Sequence, residues 1–520
     1  MSERRPAEIL DRVPDAPIEP EIVVPKPVGA PHAEALGSRI FQNIATLIGG
    51  QGFTLAFSGA SAILLARYLG SAQLGVFGAL YSYLGLYGWL ATFGLETILA
   101  RQVAQDRARA GSILLTGVCV SALFALGSTA IALAAAPYLG YGGALRALMA
   151  LAAIDILLLA PFRLPGLVFQ VDLRQWYGVG ISLARQFAWL LVLAALAVAR
   201  AGLFWIIVGR SVCAVLEVGL IFWAVHRKSY LAGPWRVLGA EARKYLKYGF
   251  PVAVSALAVG IYHRIDQVML HNMVTDQALG NYVASVRLAE LVSVFPIAVM
   301  ASMFPVLAQT AGDEERFRHY LRLSFRSLMA IAFGLCTLLT LFSGPLVHLL
   351  YGLKYAAAGP LLAVLIWSEV PLFFGVVMSN ALVAKHLQNY LPFSAVVGAA
   401  VNVALNLYLI PRWGALGSAW ATNISELLAA ALLFLAFRPT RLVAWPGFRI
   451  AAAPALVAFV ILGALFRVSL PVPIALPVVI LSYGFGALIT GVARKSELIQ
   501  MWQLIGKSFG DVKSGASVAS

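Results

Sequence analysis

Charge is scarce in this sequence, cysteine is scarcer, and familiar catalytic signatures are missing. Asp, Glu, Lys and Arg make up 12% of the 520 residues, about half the roughly 25% usual in soluble domains. A water-soluble surface of this extent needs more. The three cysteines, Cys119, Cys213 and Cys336, each stand alone in an apolar run. That excludes a disulfide framework and a cysteine metal site, and leaves them as small packing residues. No glycine-rich loop ending in Lys-Ser/Thr occurs, so no nucleotide-driven motor is built in. Metal-ligand spacing and a nucleophile elbow are also missing. Residues 1–37 lack the apolar stretch of a secretory leader. They carry Pro6, Pro14, Pro17, Pro20, Pro25, Pro27 and Pro31 among mixed charges, and read as an extended, disordered cytoplasmic tail.

What is abundant is apolar sequence: 61% of residues, with a mean hydropathy of +0.85. From Ser38 to Arg494 it is nearly continuous, cut by short charged or Gly/Pro-marked breaks. A membrane-crossing helix needs about 20 such residues, and lipid requires helix because it offers unpaired backbone groups no partner. The pattern predicts an all-α polytopic membrane protein of about 14 spans: 40–66, 74–100, 112–136, 144–169, 177–199, 203–225, 246–270, 279–309, 324–350, 360–384, 390–410, 415–437, 447–466 and 472–493.

The breaks are basic on alternate turns. One set holds Arg101, Arg107, Arg109, Arg174, Arg227, Lys228, Arg236, Arg243, Lys244, Lys247, Arg316, Arg318, Arg322, Arg326, Lys385, Arg438, Arg441, Arg449, Arg494 and Lys495. The other holds little beyond Arg67, Arg200, Lys354, Arg412 and Arg467. Basic loops stay in the cytoplasm, so both termini are expected there. The net charge of +15 then reflects loops facing anionic lipid heads, and no nucleic-acid partner is expected. The break at 227–245 separates spans 1–6 (38–226) from spans 7–12 (246–437). Residues 438–494 hold spans 13 and 14, and 495–520 form a C-terminal cytoplasmic tail. A faint repeat joins the two sets of six. Leu74-Gly75-Val76-Phe77-Gly78-Ala79 heads span 2, and Leu279-Gly280-Asn281-Tyr282-Val283-Ala284 heads span 8. Parallel repeats of this kind build two-lobed transporters around a central site.

Charge inside a span is costly and usually faces protein or water. Glu96, Asp155, Arg185, Arg210, Glu217, Arg264, Asp266, Arg287, Glu290, Glu369 and Glu426 all fall inside spans. Arginine suits bidentate binding of phosphate oxygens. Arg264, Arg287 and Arg185 are therefore candidates to line a cationic cavity. For Arg264 the competing role is snorkelling to the outer headgroups. For Arg287 it is a local pair with Glu290 three residues on, and for Arg185 a partnership with an acid such as Asp155. Arg264 and Asp266 point to different helix faces and should not pair. Asp266, Glu217 and Asp155 are candidates for carrying a coupling proton or sodium ion. In span 1, Asn43, Thr46, Gln51, Thr54, Ser58 and Ser61 share one sector, with Arg39 below them. They form either one wall of a hydrated path or a helix-packing stripe. Arg39, Gln51, Thr54 and Ser58 join the candidate substrate-binding set.

Several blocks resemble the polysaccharide-export flippases. Ala66-Arg67-Tyr68-Leu69-Gly70 followed by Leu74-Gly75-Val76-Phe77 is similar to their first-to-second-helix junction. Phe93-Gly94-Leu95-Glu96 with Arg101 resembles the end of their second helix. Asn402, Asn406, Leu409-Ile410-Pro411, Gly414-Ala415-Leu416-Gly417-Ser418-Ala419, Ala421-Thr422 and Glu426 resemble a junction late in their C-terminal lobe. The resemblance implies the multidrug/oligosaccharidyl-lipid/polysaccharide exporter superfamily. Its members have two six-helix lobes in a V and work by alternating access, without enzymatic chemistry. Two further C-terminal helices lean towards its lipid-linked branches.

The expected function is a flippase of the bacterial inner membrane. Its substrate would be a polyprenyl-diphosphate-linked oligosaccharide for capsule, exopolysaccharide or O-antigen synthesis. Expected partners are that lipid-linked glycan, membrane lipids and a polysaccharide polymerase or export complex; no cofactor beyond a coupling H+ or Na+ is expected. A lipid II flippase, a drug exporter and, from another class, a membrane glycan polymerase or glycosyltransferase stay open as alternatives.

Overall fold

The computed structural model describes residues 30–172, 174–227, 235–465 and 471–491, apart from the side chains of 30–49, 51, 251, 252, 254–256 and 433–435. Residues 1–29 of the expected N-terminal tail, 228–234 of the linker and the C-terminal tail lie outside these residues, whereas 30–37 and 239–245, expected as tail and linker, are helical. Among the described residues the chain is all helix, with no strand. The first half comprises α1 Ala30–Thr92, α2 Leu95–Gln105, α3 Ala110–Ala135, α4 Ala144–Ala152, α5 Ile154–Phe162, α6 Leu167–Val171, α7 Trp176–Val198 and α8 Leu203–Arg227. The second comprises α9 Gly239–Met273, α10 Asp276–Glu290, α11 Val294–Gln309, α12 Glu314–Tyr351, α13 Ala358–Leu365, α14 Glu369–Ala384 and α15 Leu391–Leu435, followed by α16 Arg438–Leu465 and α17 Val472–Ile489.

Eleven helical stretches among the described residues are long and apolar enough to cross a membrane. Two of them are of double length and bend at a glycine. Gly70 has φ 72° and ψ 170° inside α1. Gly414 has φ 56° and ψ −137° inside α15. Positive φ at these bends is open to glycine at little cost. The more charged α9 runs 35 residues through Pro251 and Gly260 without a break.

Prolines set other interruptions. Proline clashes with the carbonyl four residues back and donates no hydrogen bond to it. Pro296 acts on Val292 within the short turn Leu291–Ser293 between α10 and α11. Pro371 acts on Trp367 within the turn Ile366–Ser368 between α13 and α14. The two interruptions meet: Ser293 Oγ donates to Glu369 Oε2 at 2.9 Å.

The halves join chiefly through α1, which packs on α9 and α10. At the end away from the basic loops, the two segments of the faint repeat cross. A Cβ on Gly75 would run into the backbone oxygen of Asp276, and one on Gly280 into that of Ser71. Only glycines allow backbones this close. Beside the crossing, Arg67 donates to Leu350 O and Leu349 O, each at 2.6 Å. Tyr355 Oη donates to Ala66 O at 2.8 Å, and the Tyr141 ring stacks on His271 at 4.3 Å. Deeper in, Ser82 Oγ donates to Gln267 Oε1 at 2.6 Å.

At the basic end, the first half holds α9 and its approach. Tyr245 Oη donates to Gln102 Oε1 at 2.6 Å, and the amides of Arg236 and Leu238 donate to Ser112 and Thr116. Among the described residues, the hydrogen bonds linking the first half to α10–α15 and their connecting turns all sit at the other end. The molecule is thus tied shut at one end, while at the basic end α9 carries the bonds between halves.

Candidate functional site

Two charged clusters lie within the helices, one in each half. In the first half, Glu217 on α8 is buried. It accepts from Arg163 Nε and Nη2 at 2.9 and 2.8 Å, and its Oε2 lies 2.9 Å from Arg185 Nε on α7. About two turns away, Asp155 in the first turn of α5 accepts from Arg210 Nε and Ser211 Oγ, both at 3.0 Å. The Arg210 guanidinium sits 4.4 Å from the Tyr81 ring centroid. Arg185 therefore pairs with Glu217 rather than Asp155, and Glu217 does not pair with Arg210 on its own helix. The cause is interhelical geometry: two turns along one helix separates Arg210 from Glu217, whereas facing helices bring the other partners into contact. Arg163 was absent from the sequence candidates, although its position inside span 144–169 was a usable signal.

In the second half, Glu290 at the end of α10 holds two arginines. Arg287 Nη1 donates to Oε2 at 2.9 Å, and Arg264 Nη1 on α9 lies 3.5 Å from Oε1. Side-chain exposure is 42% for Arg287, 42% for Glu290 and 27% for Arg264. The trio carries a net charge of +1 and is half open to its surroundings. Gly260, one turn before Arg264 on the same face of α9, packs on Trp89 of α1. Arg264 is thus on the side of α9 where the first half passes. Along that stretch Gly85, Gly88, Trp89, Thr92 and Glu96 border a pocket of about 360 Å³.

Asp266 goes elsewhere. It is buried and accepts from Tyr282 Oη at 2.5 Å and from the Gln267 amide at 2.7 Å. Tyr282 lies 3.4 Å from both Thr422 and Ser418 hydroxyls. Among the described residues no cationic side chain pairs with Asp266, Glu369 or Glu426.

The span-1 stripe meets several surroundings. Thr54 borders a pocket of about 250 Å³ between α1, α6 and α7, with Gln170, Gln175 and Ser182. Ser58 is exposed, and Ser61 is buried without a hydrogen-bond partner. The side chains of Arg39 and Gln51 lie outside the described residues. Separately, α12 and α17 enclose an apolar groove of about 850 Å³, with Gly334, Leu338, Ile480 and Phe485 among its walls.

Bent double-length helices, paired charges within the helices and a repeat that packs on itself define a polytopic helical membrane protein. Residues 64–360 match the family model described as polysaccharide biosynthesis protein, and the chain belongs to that family. No curated protein matches the sequence. The fold is shared with the lipid II flippase MurJ in an inward-closed conformation, at 14% identity and a TM-score of 0.69 over 85% of this chain and 98% of that one. It is also shared with an inward-facing multidrug resistance MATE family transporter of the MOP superfamily, at 15% identity and a TM-score of 0.63 over 77% and 95%. An outward-facing transporter of that family gives 0.55 at 15% identity over 80% and 96%.

Proposed function

We propose that the protein is a flippase that moves a polyprenyl-diphosphate-linked oligosaccharide from the cytoplasmic to the outer leaflet of a bacterial inner membrane by alternating access. The observation that carries this reading is the half-open trio Arg264, Arg287 and Glu290. Two guanidiniums on separate helices, with one acid between them, favour a ligand with more negative charge than a carboxylate. The path crosses the bilayer fourteen times if each glycine-bent helix counts as two passes and α9 as one. The basic loops and both termini then lie in the cytoplasm. The diphosphate enters from the basic end and settles between α9 and α10, while the glycan occupies the space beside α1 and α2. The prenyl tail stays in lipid, and the groove between α12 and α17 has the apolar walls to hold it. Rocking of the halves then exposes the head group outside. Of the acids considered for ion coupling, Glu217 and Asp155 are held by arginines. Asp266, held by the Tyr282 hydroxyl and the Gln267 amide, is the better carrier of a coupling proton or sodium ion.

The test is the glycan profile of a deletion strain. Loss of surface polymer, with undecaprenyl-linked repeat units accumulating at the inner leaflet, is the expected result. Normal surface polymer would overturn it and favour drug export. Repeat units delivered singly to the outer leaflet would indicate a polymerase. The near-complete coverage of MurJ favours one second reading, a lipid II flippase, which would make the gene essential.

A further inference from the structure

Arg287 and Glu290 stand three apart on one helix, a spacing that ordinarily yields a self-neutralising local pair. The structure adds a third member from another helix. Each carboxylate oxygen of Glu290 faces a different arginine, Oε1 towards Arg264 at 3.5 Å and Oε2 towards Arg287 at 2.9 Å. A carboxylate bridging two guanidiniums through separate oxygens occupies the position that two oxygens of a phosphate group would take. The trio is half exposed, so the carboxylate is not locked in place by packing.

Resting on the flippase reading above, we propose that Glu290 is an internal competitor of the substrate, filling the phosphate seat between Arg264 and Arg287 until the lipid diphosphate displaces it. The charge count supports an exchange. A prenyl-diphosphate-sugar is a diester with one negative charge on each phosphate, two in all. Glu290 brings one. The two arginines are over-neutral with Glu290 in place and balanced by the diphosphate. The displaced carboxylate stays tethered on α10, one side-chain length away. It therefore keeps repelling the bound diphosphate and returns to its seat when the head group leaves. Glu290 acts through the arginines and is a positioning residue. Its effect is to weaken binding and speed release, a trade that favours turnover over affinity.

The full-length protein in lipid nanodiscs, titrated with an undecaprenyl-diphosphate monosaccharide, which is a diester of that charge, tests this. Glu290→Gln keeps the shape and removes the charge. It is expected to tighten binding about tenfold and, in proteoliposomes, to lower the maximal flipping rate while lowering the half-saturating substrate level. Glu290→Asp keeps the charge but shortens the reach, and should fall between Glu290→Gln and the unmodified protein. Arg264→Gln and Arg287→Gln should weaken binding. If the unmodified protein binds the probe but Glu290→Gln binds no tighter, or more weakly, Glu290 is merely a structural partner of the arginines and the proposal fails, with the flippase reading intact. If neither protein binds the probe, both fail together.

Discussion

Asp155 and Glu369 occupy matching places in the two halves. Each is a buried acid in the first turn of the second piece of an interrupted helix, α5 for Asp155 and α14 for Glu369. Their company differs. Asp155 receives a guanidinium and a hydroxyl, from Arg210 and Ser211. Glu369 receives one hydroxyl, from Ser293. The difference extends to the clusters around them. In the first half two acids hold three arginines in close contacts between helices. In the second half two arginines share one half-exposed acid, and Asp266 and Glu369 have no cation. A network centred on buried acids fixes its helices, because removing one member leaves a buried charge. One centred on an exposed acid keeps capacity for a ligand. The comparison assigns rigidity to the first half and exchangeable charge to the second.

The largest effect expected from breaking this contrast is on transport. Arg264→Ala combined with Arg287→Ala removes both cationic ligands, each worth roughly 1.5–3 kcal/mol in charge-assisted bonding. Flipping of a lipid diphosphate in proteoliposomes should fall by more than about 100-fold, with little change in thermal unfolding. Retained flipping would show that the second-half arginines are not the site. Glu217→Gln is the counterpart in the first half. It leaves Arg163 and Arg185 without their carboxylate and should cost about 3–5 kcal/mol of stability, seen as a fall in the unfolding midpoint in detergent. Diphosphate affinity of the folded fraction should not change. A stable Glu217→Gln protein with altered affinity would place the functional charge in the wrong half.

Smaller effects are expected at the closed end. Gly280→Leu forces a side chain into the backbone of the α1 segment at Ser71, and overpacking of this kind costs about 1–3 kcal/mol. Because the clash arises only while the crossing is closed, the variant should shift cysteine cross-linking between the halves towards the open form. Arg67→Gln removes the two bonds to the carbonyls of Leu349 and Leu350 at the C-terminal turn of α12. The site is exposed, so about 1 kcal/mol is expected, a roughly fivefold shift in the same cross-linking ratio. An unchanged ratio in both variants would mean that the crossing does not open during transport.

Much of the fold could be read from the sequence because a bilayer imposes it. Span ends near 66–74 and 410–415 coincide with the left-handed Gly70 and Gly414, since a chain turning back in a short distance needs glycine there. The repeat around Gly75 and Gly280 was faint as a pattern, yet its two copies touch. The charge pairs were less legible. Spacing along one helix linked Arg287 to Glu290, but could not show that Arg264 reaches Glu290 from α9 or that Glu217 draws Arg163 and Arg185 from two other elements. Pairing between helices depends on rotation and depth, and a single sequence encodes both only through packing. The span-1 polar stripe illustrates the limit: one helical face, from Thr54 to Ser61, meets a pocket, an exposed surface and a buried contact.

Glu369→Gln gives the smallest effect on stability and the sharpest test of the comparison. The side chain is buried, with 4% of the residue exposed, and its recorded hydrogen bond comes from Ser293 Oγ. Glutamine keeps an oxygen for that hydroxyl and removes a carboxyl group that no cation pairs with. Burying a neutral amide costs less than burying a carboxylate, so the change in unfolding free energy should stay within about 1 kcal/mol. Asp155→Asn, at the matching place, strands Arg210 and should cost several times more. Equal losses in the two variants would mean that Glu369 has an ion-pair role of its own, and the halves would not differ in kind. Unchanged stability with abolished transport would instead identify the unpaired carboxyl group of Glu369 as part of the working cycle.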